Sequence, residues 1–175
     1  MSKRDLKKYL SELDKVQLEE QIIELYEKFS AVKVYYDFVF NPKENILLQE
    51  CKLKISNEYF PIKKIGKRNK PKLRRSVAQK CIKHFMVLCV DPFVIADVMM
   101  YNIEIAQTYS AENPIKQELF YKSMFNSWEQ AVEFTVSNGI YPDFKTRITA
   151  IHQEALSQKW FNESEFDRII SRFEF

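Results

Sequence analysis

The 175 residues suffice for one domain with a hydrophobic core, and 46% hydrophobic with 29% charged residues is typical of a globular chain, not a disordered one. The net charge of the chain is +3. Outside the segment from Lys63 to Arg75 there are 19 basic and 24 acidic residues, so the rest of the chain has a net charge of −5. The chain has two glycines where average usage gives roughly a dozen, which excludes glycine-rich phosphate loops, dinucleotide-binding loops and nucleophile elbows, and disfavours hairpin-joined sheets.

The N-terminal residues are charged from Lys3 onward and lack the apolar stretch of a signal peptide. No run of residues approaches the roughly 18 apolar residues of a membrane span. The three cysteines, Cys51, Cys81 and Cys89, lie in helical patterns without the spacing of a disulfide framework, so we predict reduced, buried thiols. We therefore expect a cytoplasmic protein without membrane contact.

Capping signals predict where the helices begin and end. An Asn or Asp followed by Pro predicts a helix start, because the side chain caps an unpaired amide and the proline ring already has the helical φ. The three such pairs are Asn41-Pro42, Asp91-Pro92 and Asn113-Pro114. Gly139 predicts a helix end. The predicted helices lie near residues 3–12, 15–29, 31–40, 42–59, 72–89, 92–111, 114–138 and 143–159, with a short ninth near 163–173.

These elements predict an all-α fold. Short linkers favour an orthogonal or antiparallel bundle, or a short α-solenoid-like array, within a single domain over residues 1–175. One connection is long, at about residues 60–71, and it contains most of the basic residues. We expect this basic loop to divide an N-terminal set of helices from a C-terminal set.

The predicted helix near 92–111 has one broad apolar face when projected at 100° per residue. Asn102 falls in the middle of that face, so we expect it to be buried and hydrogen-bonded to a neighbouring helix, or to line a ligand pocket. Asp97 and Glu104 fall on the opposite face, about 10 Å apart along the axis. They are either paired carboxylates for metal or acid–base chemistry or the polar face of an amphipathic helix, which the projection favours.

The predicted helix near 72–89 places Cys81 and Cys89 on its packed face and His84 at the border, where we expect a buried polar side chain. Together with Cys51 these residues suggest a metal cluster, but their spacing is not that of a structural zinc site. We predict no metal site, no cofactor and no catalytic residue.

The segment from Lys63 to Arg75 predicts a polyanion-binding loop that continues into a helix, because Lys and Arg neutralise phosphates and release counterions. The alternative is a solvated loop that binds nothing. The candidate contact residues are Lys63, Lys64, Lys67, Arg68, Lys70, Lys72, Arg74, Arg75 and Lys83.

Several segments resemble one family of bacterial proteins known only as a domain of unknown function. They are MSKRDLKKYLSELDKVQLEEQIIELYEKF at the N-terminus, YYDFVFNPKE from Tyr35, RRSVAQKCIKHF from Arg74 and VDPFVIADVMMYNIEIAQ from Val90. The resemblance covers most of residues 1–110. It implies a bacterial cytosolic setting and a helical fold, and it transfers no activity.

Taken together, these features favour a non-enzymatic binding or adaptor protein that recognises another protein through its helical surface. The first alternative is a nucleic-acid-binding accessory protein that contacts RNA or DNA phosphates through Lys63 to Arg75. The second is a small-molecule-binding or enzymatic helical domain.

Overall fold

A computed structural model describes residues 2–62 and 70–173 of the chain, with no side chain described at 173. Within these residues the chain forms nine α-helices and no strand, which confirms the predicted all-α fold. The helices are α1 (Lys3–Ser11), α2 (Lys15–Lys28), α3 (Ser30–Phe40), α4 (Glu44–Tyr59), α5 (Arg75–Val87), α6 (Pro92–Glu112), α7 (Glu118–Ser137), α8 (Tyr141–Ser157) and α9 (Glu163–Phe173).

One of the predicted helix starts is observed, at Asp91, and another, at Asn113, is wrong. Asp91 caps α6 as predicted, since its carboxylate accepts the Phe93 amide at 2.7 Å. Asn113 has the opposite role from the one expected: its amide side chain donates to the Tyr109 carbonyl at 3.1 Å and closes α6, whereas α7 begins only at Glu118. An Asn beside the end of one helix can satisfy that end as readily as the start of the next.

Three helices end with a residue in the left-handed region, where the chain reverses and the last carbonyls are satisfied. These residues are Cys89 after α5 at φ 54°, Gly139 after α7 at φ 71° and Lys159 after α8 at φ 51°. After each of them, the next amide reaches back to a carbonyl one turn inside the helix, at 3.0–3.1 Å. The chain thus makes three similar ends with a single glycine.

The helices form two compact units, Met1–Lys43 and Glu44–Phe175. In the first unit α2 packs on α3. In the second, α6 lies at the centre, in contact with α4, α5, α7 and α8, and α9 packs on α7 and α8. Since α4 packs directly on α5 and α6, the connection at 60–71 does not separate two sets of helices as predicted. The single-domain organisation stays a prediction.

The second unit has a dense core. Trp128 and Phe166 are fully buried with ring centroids 4.8 Å apart, and Trp160 and Phe125 pack edge-on against Phe166. This aromatic cluster joins α7 to α9. Along the described helices, none combines the length and apolar character needed to cross a membrane.

Candidate functional site

The C-terminal end of the basic segment, Lys63 to Arg75, contacts Glu58 in the last turn of α4. The first half of the segment, including the candidates Lys63, Lys64, Lys67 and Arg68, lies outside the described residues. Where the chain is described again, Lys70 and Lys72 are exposed. The amides of Lys72 and Leu73 then donate to the Glu58 carbonyl at 2.9 and 3.2 Å. The C-terminal turn of α4 therefore anchors the segment just before α5.

Arg74 completes this anchor. Its Nε and Nη2 contact the two carboxylate oxygens of Glu58 at 2.8 and 2.7 Å, a bidentate geometry that is among the strongest for an ion pair. The hydrogen bonds from Arg74 hold the pKa of the Glu58 carboxyl below its usual range. The positive charge of Arg74 is thus matched by a buried acid, although the arginine side chain itself is 53% exposed.

Arg75 is also engaged within the protein. Its Nε donates to Ser127 Oγ and its Nη2 to Gln130 Oε1, both at 2.7 Å, so it ties α5 to α7. Burial lowers the pKa of Arg75. Of the described candidates, Lys70, Lys72, Arg74 and Lys83 are exposed and Arg75 is half-buried, and only the two arginines are paired with side chains of the protein in this way.

Asp97 and Glu104 form a second charged cluster, with two cations from neighbouring helices. Arg147 of α8 contacts Asp97 Oδ1 at 2.6 Å and Glu104 Oε2 at 2.7 Å, and Lys52 of α4 contacts Asp97 Oδ2 at 2.6 Å. Burial alone raises the pKa of the Asp97 carboxyl, but the hydrogen bonds from Lys52 and Arg147 hold it below its usual range. The polar face of α6 therefore binds α4 and α8, a role that the helical projection could not reveal.

Asn102 is buried, as predicted, with 2% of its surface exposed. The expected hydrogen bond to a neighbouring helix is not made by its Nδ2, which has no partner among the described residues. Trp128 Nε1 is also a buried donor that has no hydrogen-bond partner among the described residues. Each buried donor without a partner costs stability, so these two positions are weak points of the core.

The expectation for His84 is wrong, because its side chain is exposed. The packed face of α5 runs through Ala78, Ile82 and Phe85, and His84 lies about 100° away from Phe85 around the helix. Cys89 is exposed rather than buried, and it occupies the left-handed position that follows α5.

The other two cysteines lie on facing helices. Cys51 on α4 is buried and Cys81 on α5 is half-buried, and both are free thiols. Their mutual hydrogen bond raises the pKa of Cys51, and burial adds to this effect. The same hydrogen bond lowers the pKa of Cys81. No group of three or more His, Cys, Asp and Glu side chains in the described part of the chain could hold a metal ion.

Helices α2 and α3 carry an exposed apolar surface, here called the α2–α3 surface, that was not predicted from the sequence. No described residue of the first unit is buried. The large apolar side chains that α2 and α3 expose are Val16, Ile22, Ile23, Leu25, Val34, Val39 and Phe40. A groove of about 290 Å³ runs through this surface, lined by Ile22, Ile23, Tyr26, Tyr36 and Phe40. Its signal in the sequence is α3 itself, where Ser30, Lys33 and Asp37 interrupt eight Ala, Val, Tyr and Phe residues.

The protein belongs to the Family of unknown function (DUF6155), whose model matches residues 1–174. The match confirms the resemblance seen in the sequence and extends it through the C-terminal third. No curated protein and no solved structure matches the chain.

Proposed function

We propose that this protein is a non-enzymatic binding module that recognises another protein through the α2–α3 surface. Membership of a family of unknown function assigns no activity, so the proposal rests on the structure. The proposed setting is the bacterial cytoplasm, with which the free thiols of Cys51, Cys81 and Cys89 agree.

The observation that carries the proposal is the contrast between α3 and α6. Both helices are rich in apolar residues. Helix α6 contributes ten buried residues to the core, as a mostly apolar helix should. Helix α3 contributes none. An apolar surface that the helices of its own unit leave open is typical of a site where a partner binds.

The groove suits a helical partner. Two isoleucines and three aromatic side chains line it, in the arrangement by which apolar grooves hold the apolar face of an amphipathic helix. Phe40 is 75% exposed at one end of α3. A large aromatic side chain with this exposure is the kind of residue that dominates binding energy once a partner covers it.

A second candidate function is binding of RNA or DNA phosphates by the basic segment. The exposed side chains of Lys70, Lys72 and Lys83 support it. Arg74 and Arg75 weaken it, because Glu58, Ser127 and Gln130 already accept hydrogen bonds from Nε and Nη2 of these two residues.

The proposal is tested by placing a photo-crosslinking amino acid at Phe40 in the protein expressed at its native level. The matched control position is Phe161, a phenylalanine of the second unit that is 67% exposed. We expect discrete protein adducts from position 40 and none from position 161. Equal adducts from both positions, or no adduct from position 40, would contradict the proposal.

A further inference from the structure

We infer that Cys51 and Cys81 form a redox-active dithiol, a modification site at which a hydroperoxide oxidises the two thiols to a disulfide that joins α4 to α5. The inference goes beyond the proposed function, because both residues lie in the second unit and neither belongs to the α2–α3 surface. In the reduced protein both side chains are free thiols.

The two thiols meet because α4 and α5 pack directly on each other. Each cysteine lies in the middle of its helix, and the two side chains are close enough to share a hydrogen bond. Helix α6 packs on both helices, so their arrangement is fixed by the core and not by the two thiols alone. A disulfide requires cysteines that already face each other, because its geometry is narrow and poorly placed pairs store strain. The fold therefore brings the two sulfurs together before any oxidation.

The two thiols differ in their access to solvent. Cys51 is buried, with 2% of its surface exposed, whereas Cys81 is half-buried. A small oxidant such as hydrogen peroxide therefore reaches Cys81 first. An accessible thiol with a second thiol beside it is the arrangement found in redox-sensing cysteines. In a reducing compartment, disulfides of this kind are transient, which agrees with free thiols in the resting protein.

The protonation of the two thiols differs in the same sense. The hydrogen bond with Cys51 lowers the pKa of Cys81 to about 7, and the positive charge of Lys54 acts in the same direction against the effect of burial. The same hydrogen bond raises the pKa of Cys51, and burial adds to the increase. Because the thiolate is the nucleophilic form, Cys81 is the attacking residue and Cys51 keeps its proton until the second step.

The reaction takes two steps. In the first, the Cys81 thiolate attacks one oxygen of the hydroperoxide, so that an S–O bond forms and the O–O bond breaks. The departing alkoxide or hydroxide takes up the proton that Cys81 released, and Cys81 becomes a sulfenic acid. In the second, the Cys51 sulfur attacks the Cys81 sulfur, and the S–O bond breaks as the S–S bond forms. The hydroxide leaves as water with the Cys51 proton, and the peroxide has accepted two electrons from the two thiols.

The test treats the purified, fully reduced full-length chain with graded hydrogen peroxide under native conditions. The protein is then unfolded, and its remaining thiols are counted by alkylation. We expect the loss of two of the three thiols, with Cys89 still reduced, and full recovery after dithiothreitol. Mass spectrometry without reductant should find the peptides of Cys51 and Cys81 linked within a single chain of 21.0 kDa.

Single alanine variants assign the role of each thiol. Cys89→Ala removes the exposed cysteine outside the pair, so it is the matched control and should still form the disulfide. Cys51→Ala should stop at the sulfenic acid on Cys81, which dimedone traps. Cys81→Ala should leave Cys51 reduced, because the buried thiol is out of reach of the oxidant. Circular dichroism checks that each variant retains its helices.

Three results in the wild-type protein overturn the inference. The first is a link between Cys51 and Cys81 that forms only when the chain is oxidised in urea. The second is oxidation confined to Cys89, or disulfides that join two chains through it. The third is sulfinic acid at Cys81 while Cys51 stays reduced, since a resolving thiol in contact would have trapped the sulfenic acid first. These readouts need no variant, so they decide the inference whether or not Cys51→Ala folds.

Discussion

Arg74 and Glu58 form a bidentate ion pair that closes the connection between α4 and α5, with guanidinium nitrogens 2.8 and 2.7 Å from the two carboxylate oxygens. Through this pair Arg74, a residue of the basic segment, stabilises the packing of the connection against α4. It also fixes where α5 begins, since Arg74 is the residue that precedes its first turn.

The first prediction is that Glu58→Gln lowers the melting temperature at neutral pH. Arg74 depresses the pKa of Glu58 in the folded protein, so the stabilisation is present above the ordinary glutamate pKa of 4.5 and is lost as the pH falls through the folded value. The gap between wild type and variant should therefore shrink in acid. Thermal melts across pH measure it, with Glu50→Gln on the exposed side of α4 as the control. A gap independent of pH would contradict the ion-pair explanation.

The second prediction concerns nucleic acid. If the basic segment binds RNA or DNA phosphates, affinity should fall steeply with salt, with a log–log slope of about −0.7 to −0.9 per phosphate. Replacing Lys67, Arg68, Lys70 and Lys72 with Gln should then flatten the slope by roughly three to four units and leave the melting temperature nearly unchanged. Titrations at several salt concentrations measure it.

The control for this experiment removes the same charge elsewhere, by replacing Lys3, Lys116, Lys122 and Lys145 with Gln, four exposed lysines outside the segment. An equal loss of slope in both variants would show diffuse attraction to the whole surface. Absence of salt-sensitive binding in the wild type would leave the segment as a solvated loop.

The third prediction is that Asn102→Ala costs less than about 1 kcal/mol, because the lost packing is offset by removal of a buried donor that has no partner. The comparison is Ile103→Ala, the fully buried neighbour, which should cost about 2–5 kcal/mol. Urea unfolding measures both. A cost above about 2 kcal/mol for Asn102→Ala would mean that the amide makes a stabilising hydrogen bond after all.

The fourth prediction compares Gly139 and Lys159, which both have a positive φ at the C-terminal ends of α7 and α8. Gly139→Ala should destabilise by about 1 kcal/mol through its positive φ alone, since nothing lies within 4 Å of the added Cβ. Lys159→Gly should stabilise by about 0.5–1 kcal/mol, because it relieves the same conformation after α8. Opposite signs in denaturant unfolding confirm the prediction, and equal signs contradict it.

The fifth prediction is that Arg147→Met destabilises by about 1–2 kcal/mol, since it leaves Glu104 without its cation and Asp97 with Lys52 alone. The value is below that for a fully buried pair because the three side chains of the Arg147 cluster are 25–34% exposed. Lys145→Met, an exposed position on the same helix, is the control and should change stability by less than about 0.5 kcal/mol. Equal losses in the two variants would assign the effect to the surface of α8 in general.

The helices and the burial of Asn102 were predictable because capping and the 3.6-residue period act between neighbours in sequence. The capping signals place α6 within a residue or two of its bounds for this reason. The same local rules failed where two signals competed for one residue, as at Asn113, which closes α6 rather than opening α7.

The tertiary structure decided the roles of the charged residues and the exposure of α3. Arg74 meets Glu58 across 16 positions, and Arg147 meets Glu104 and Asp97 across 43 and 50, separations at which no periodicity specifies a partner. The projection of α3 indicates an apolar helix, but whether its own chain covers it depends on where other helices lie. Local interactions determine which segments are helical, whereas packing between distant segments determines which charges are paired and which apolar faces remain open.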